Sequence, residues 1–176
     1  MKIHLKVALN PDEICTAQQK GCRVIKGRAI HYTKDCVKDS NAKIRSAVET
    51  ALRDAGFKFR YKQFKANRSN NSKYLLKKVV DNGFPKKKPL EAIIVYKFPF
   101  PKTASKKRLE QSWEFMTERP DVDNLTKNLF DALTDLCLIV DDAQIVSAPL
   151  IKIRNHSPAI EIIIMDTPTV CLPFIQ

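Results

Sequence analysis

Residues 90–98, Leu-Glu-Ala-Ile-Ile-Val-Tyr-Lys-Phe, are rich in β-branched and aromatic side chains, with Pro89 on one side and Pro99-Phe100-Pro101 on the other. Proline gives up a ladder donor and is tolerated at strand ends, so the run reads as a strand with both ends fixed. A strand needs partners. Ile3, Leu5, Val7 and Leu9 alternate with polar Lys2, His4 and Lys6, the pattern of a half-buried strand. Residues 145–153 and 159–165 read as two closing strands, joined through Asn155-His156-Ser157-Pro158 as a hairpin turn.

Two helices accompany these strands. From Ser40, read as an N-cap, Ile44, Ala47, Val48, Ala51 and Leu52 recur at helical spacing until Gly56 stops the helix. A second begins near Asp123, with Leu125, Leu129, Ala132, Leu133 and Leu136 in one apolar stripe. Residues 10–35 read as a long irregular stretch ending in a short strand at 29–32. Residues 57–88 read as a basic insertion packed loosely on the core, with a turn or disordered tip at 67–72. The expectation is one α+β domain over residues 1–176, a small mixed sheet packed by two main helices.

Composition narrows the class. The chain has 44% hydrophobic and 28% charged residues, which excludes low-complexity and fibrous proteins. No apolar run approaches the roughly 20 residues that span a bilayer, and the amino terminus lacks a signal-peptide core, so a cytoplasmic protein is expected. The five cysteines (Cys15, Cys22, Cys36, Cys137 and Cys171) lack paired C-x-x-C spacing and read as reduced structural thiols.

The net charge of +12 is local. Residues 57–108 hold 16 Lys+Arg and two acids, whereas residues 110–142 hold nine acids against Arg119 and Lys127. A segment this basic suits phosphate contacts with counterion release. Phe57, Phe59, Tyr61, Phe64 and Tyr74 are interleaved with the bases, as on a surface that stacks nucleic-acid strands. A solvated surface is the bland alternative.

The acidic stretch carries two aspartate pairs. Arg119-Pro120-Asp121-Val122-Asp123-Asn124 brings two carboxylates to one face if it stays extended. Asp141-Asp142 follows about 20 residues on, so an intervening helix that returns the chain would let the pairs meet. Hard oxygen ligands without nearby His or Cys suit Mg²⁺ or Mn²⁺. Either pair alone reads equally as a helix cap or an exposed turn. His4, His31 and His156 are not placed as general bases.

The ordered set Arg-Pro-Asp-Val-Asp-Asn-Leu-x-Lys at 119–127, Asp131-Ala132-Leu133, and Asp141-Asp142-Ala143-Gln144-Ile145-Val146 resembles the RusA-like Holliday-junction resolvases, endodeoxyribonucleases common in phages and prophages. The match is strong in the carboxyl-terminal third and weaker over residues 1–56. It implies catalytic carboxylates at Asp121, Asp123 and Asp142 and a catalytic lysine at Lys127, with Asp141 the adjacent acid. It implies a Mg²⁺-dependent enzyme of DNA recombination and repair, and a symmetric homodimer that resolves four-way DNA junctions by paired nicks. Arg119 is a candidate for the scissile phosphate, and Arg23, Arg28, Lys106, Lys107 and Arg108 for junction arms. The charge is also explained by a non-enzymatic nucleic-acid-binding protein, or by a nuclease for flaps or forks.

Overall fold

A computed structural model describes residues 1–15, 20–25, 28–33, 35–65 and 74–167. Along the chain run β1 (Lys2–Val7), β2 (Lys20–Ile25), β3 (Arg28–Thr33), α1 (Asp35–Asp54), β4 (Phe59–Lys65), β5 (Tyr74–Val80), β6 (Leu90–Phe98), α2 (Lys106–Leu109), β7 (Trp113–Phe115), α3 (Val122–Asp135), β8 (Ile145–Ser147), β9 (Leu150–Asn155) and β10 (Ala159–Asp166). The result is the expected mixed α+β domain.

β6 is the central strand of a six-stranded sheet ordered β1-β10-β6-β9-β7, with β8 also paired to β6. β10 lies antiparallel to β6 while β8 and β9 lie parallel to it. Leu90, Ala92, Ile94, Tyr96 and Phe98 are fully buried, as are Leu5 and Val7 of β1 and Ile162 and Ile164 of β10. The helical layer covers this face: α1 packs on α3 and on β1. Tyr96 Oη and Thr126 Oγ1, 2.9 Å apart, join α3 to the central strand.

Several elements differ from the sequence expectation. Residues 20–33 form a β2–β3 hairpin rather than an irregular stretch. α1 begins five residues before Ser40, which is buried within it and whose hydroxyl accepts from the Cys15 amide at 2.7 Å. Gly56 stops the helix as expected, at φ 86°, with the Phe57 amide bonded back to the Leu52 carbonyl at 2.9 Å. The closing strands β9 and β10 do not form a hairpin, because β6 lies between them. Ala148-Pro149 divides the expected 145–153 strand into β8 and β9.

The basic insertion is a hairpin of β4 and β5. Its base is not loose: Val79, Val80 and Phe84 are buried in the core, whereas Tyr61, Leu75 and Leu76 are exposed further out. The tip expected at 67–72 lies outside the described residues.

The chain leaving β5 is stitched to the segment after α3. Val80 N bonds to the Leu136 carbonyl at 2.8 Å, and Phe84 N to the Leu138 carbonyl at 2.7 Å. Gly83 makes this approach possible, since a Cβ there would lie 2.2 Å from the Cys137 carbonyl oxygen and 2.8 Å from that of Leu138. Neither backbone atom can swing away. We therefore expect Gly83→Ala to cost about 1–3 kcal/mol, read as a fall in the urea unfolding midpoint with little change in m-value.

Candidate active site

α3 begins where the backbone leaves an extended Asp121, which occupies the N-cap position without making a side-chain cap bond. The loop before it is pinned from the sheet: Lys152 Nζ donates to the Glu118 carbonyl at 2.7 Å and to the Pro120 carbonyl at 2.8 Å. Extension does not persist, as Val122 is already helical, so Asp123 lies in the first helical turn instead of alternating with Asp121 along a strand. Leu125, Leu129 and Leu133 go to the core, and the exposed face carries Asp123, Lys127, Asp131 and Asp135 at successive four-residue intervals.

The second acid pair enters on the short helical turn Asp142–Gln144. Asp141 caps that turn, its carboxylate accepting from the Ala143 amide at 2.9 Å. Asp142 is exposed. A hollow of about 350 Å³ opens there, lined by Asp141, Asp142, Asp131, Asp135, Thr134 and by Asn41 of α1. The Oδ1 of Asn41 and the Oγ1 of Thr134 are buried without a protein hydrogen-bond partner.

The structure thus brings Asp141 and Asp142 to the carboxyl-terminal half of α3. Asp121 and Asp123 do not line the hollow; Asp123 precedes Asp131 by eight residues, about 12 Å of helix. Among the described residues no three or more His, Cys, Asp or Glu stand as a preformed cage for one metal ion. Asp131, Asp135, Thr134 and Asn41 were not singled out as site residues from sequence, although the four-residue recurrence from Asp123 to Asp135 is visible there.

Electrostatics distinguish the acids. Partial burial pushes the Asp131 carboxyl above the ordinary aspartate range, Asp142 and Asp135 add to the rise, and Lys127 opposes it. Asp135 is partly neutralised by Lys77 at 2.8 Å. Asp121, Asp123, Lys127 and Asp142 make no hydrogen bond or ion pair with a described side chain, whereas Glu49, Glu114, Glu118, Glu161 and Asp166 are all ion-paired.

The DNA-contact candidates divide as well. Arg28, Lys106, Lys107 and Arg119 are exposed, and Arg108 is committed to Glu114, with Nε donating at 2.6 Å. The Arg23 side chain lies outside the described residues.

An α+β domain presenting unpaired carboxylates and a lysine on one helix face, beside a strongly basic segment, is built for chemistry on a polyanion, and comparison with known proteins gives its class. The family model described as Endodeoxyribonuclease RusA matches residues 36–165, from α1 to β10, making the chain a DNA endonuclease. It belongs to the RusA family. A curated relative named crossover junction endodeoxyribonuclease rusA, from Lactococcus phage r1t, is 35% identical over 108 residues, covering 59% of this chain and 78% of the relative.

The raised Asp131 carboxyl has a consequence for stability. The folded state holds its proton more tightly than the unfolded chain, so Asp131 weakens the fold as pH rises above the ordinary value of 3.8 through its raised folded value. Asp131→Asn should raise the melting temperature at pH 7 and not at pH 3. The gain should stay below about 1 kcal/mol because the site is solvent-screened.

Proposed function

We propose that this chain is a Mg²⁺-dependent, structure-specific endonuclease that resolves four-way DNA junctions by paired symmetric nicks, working in the cytoplasm as a homodimer. The observation that carries the reading is the set Asp121, Asp123, Lys127 and Asp142 on and beside α3, none of them in a hydrogen bond or ion pair with a described side chain, whereas Glu49, Glu161 and Asp166 are ion-paired. Unneutralised carboxylates beside a basic segment repel the DNA that the segment attracts, and a divalent cation resolves that conflict.

The donors fit such an ion. They are all oxygen, they are exposed, and two further oxygens, on Asn41 and Thr134, lack protein partners at the hollow that Asp142 lines, to which Asp121 and Asp123 do not reach. Mg²⁺ is usually held by one or two carboxylates with waters and substrate phosphate, so a preformed cage is not required. Asp121, Asp123 and Asp142 would hold one or two Mg²⁺ (or Mn²⁺), with Asp141 at the edge and restrained by its capping bond. Bound there, the metal would supply Lewis-acid activation of water and phosphate. Lys127 lies one helical turn beyond Asp123 and would meet the charge that develops on the phosphate oxygens. Arg119, which is exposed, would contact the scissile phosphate, and the exposed Arg28, Lys106 and Lys107 would take phosphates along the arms, with Arg23 a further candidate.

We expect Asp121→Asn, Asp123→Asn and Asp142→Asn each to reduce nicking of a synthetic four-way junction by at least about 100-fold in Mg²⁺ while keeping or improving junction binding. Lys127→Ala should fall between these variants and wild type. Nicking by the aspartate variants at the wild-type rate would remove the metal-site assignment. Matched three-way and linear duplexes separate a junction resolvase from a flap or fork nuclease, and binding without cleavage would identify a non-enzymatic binder.

Two equivalent cuts across a two-fold junction call for two equivalent sites. The open sheet face supports a second copy of the chain: Trp113 and Phe115 are exposed there, stacked edge to face at 5.1 Å, and Ile151 lies beside Val95. Phe115→Glu should shift the sedimenting species from dimer to monomer; a wild-type monomer at micromolar concentration would remove the dimer.

A further inference from the structure

Asp141 lines a second hollow, of about 470 Å³, on the other side of its loop. The wall there changes character. Lys86 and Lys87 line one side and Val140, Ala143 and Val146 the other, and Val140 and Val146 are both exposed. Lys88 is spent on Asp166 at 2.7 Å, whereas the ammonium groups of Lys86 and Lys87 have no described acidic partner.

One buried side chain fixes the distance between the two walls. Gln144 Nε2 donates to the Pro85 carbonyl at 2.8 Å and the Lys88 carbonyl at 3.1 Å. Its Oε1 accepts from the Val140 amide at 2.7 Å and the Asp141 amide at 3.3 Å. Both amide hydrogens and both carbonyl lone pairs are used, two on the lysine turn and two on the acid loop. Lys87 itself is held at φ 63°, a left-handed conformation that a lysine rarely adopts. The turn is thus held in a set position beside the acids.

The hollow's size is within the roughly 300–1,000 Å³ of small-ligand sites. Its chemistry, two ammonium groups facing an apolar wall, matches a nucleotide: phosphate on the lysines, sugar and base on the valines. A small free anion gains nothing from the apolar wall and is repelled by Asp141. A DNA strand is different, because it can place one phosphate over the acid hollow and the next nucleotide in the basic one.

We propose that this hollow binds the nucleotide next to the scissile phosphate, with its phosphate on Lys86 and Lys87, its sugar and base against Val140, Ala143 and Val146, and Gln144 as the positioning residue that couples this site to the acid loop. The inference rests on the nuclease reading above. It adds binding residues that the aspartate and lysine motif does not contain.

The test uses the full chain and a synthetic four-way junction in Mg²⁺. Lys86→Ala with Lys87→Ala should raise KM about tenfold or more with the loss falling on KM rather than kcat, and should lower the slope of log Kd against log salt by about 1–2. A charge-matched control, Lys2→Ala with Lys6→Ala on the exposed side of β1, should do neither. Val146→Asp should reproduce the KM rise with both lysines present. Gln144→Leu should raise KM and add little to the lysine double variant, a coupling that simple loss of stability does not produce. Equal effects from the control pair, or unchanged KM and salt slope in the Lys86/Lys87 variant, would overturn the proposal while wild-type cleavage leaves the nuclease reading standing. If wild type binds junctions but does not cut, the nuclease reading fails, and the salt slopes of the same variants still decide whether the hollow takes DNA.

Discussion

The register of β6 is the constraint on which the rest of the domain depends. Every second residue from Leu90 to Phe98 is fully buried, and a one-residue slip would carry all five to the opposite face. That strand sets both halves of the site. Near its carboxyl end Tyr96 bonds to Thr126 and fixes α3, with Asp123 and Lys127 on its outer face. At its amino end Leu90 pairs with Ile145, immediately after the turn that carries Asp142 and Gln144. Acids far apart along the chain are thus referred to one rigid element, the kind of support that holds functional groups in place better than loops alone.

On this frame the charges are partitioned. Lys78 binds Glu49 at 2.6 Å and Lys97 binds Glu161 at 2.5 Å, so much of the basic and acidic surface is internally compensated. Phe59 takes up more of the cationic charge, with Arg53 at 5.6 Å and Lys78 at 5.4 Å from its ring. Along α3, among the described residues, only Asp135 is ion-paired, to Lys77, and the Asp131 carboxyl is raised first by its partial burial and further by Asp142 and Asp135. Folding alone gives no reason to leave such a cluster partly uncompensated. Binding a cation and a phosphate together, as proposed above, would.

What the sequence makes legible follows from how local each signal is. β6 and β1 are readable because their period-two burial is written in consecutive residues, and α3 because its leucine stripe is. The start of α1 is displaced from Ser40 because that hydroxyl serves a long-range bond to Cys15, which no local capping rule reveals. The hairpin expected between β9 and β10 fails for a topological reason: β6, far back in the chain, occupies the space between them. Gln144 is the hardest case. The sequence shows it beside two aspartates, but its function lies in two carbonyls at Pro85 and Lys88, and backbone acceptors leave no mark in residue identity.

The separation of basic and acidic segments also divides the work between ranges of force. At physiological ionic strength exposed charges are screened over about 8 Å, so an approaching duplex responds to whichever sign covers more of the nearby surface. The basic run of residues 57–108 dominates that response, while the α3 acids are felt only close in. The β4–β5 hairpin is tied at its base by Val80 and Phe84 to the chain that leads from α3 to Asp141. Attraction and chemistry therefore belong to one mechanical unit. Lys77 of the hairpin already touches Asp135 of the acid hollow, and Lys86 and Lys87 line a hollow with Asp141. On the proposed reading, a strand captured by the bases would bring a phosphate over the carboxylates, and a cation bound there would remove the repulsion that otherwise stops it.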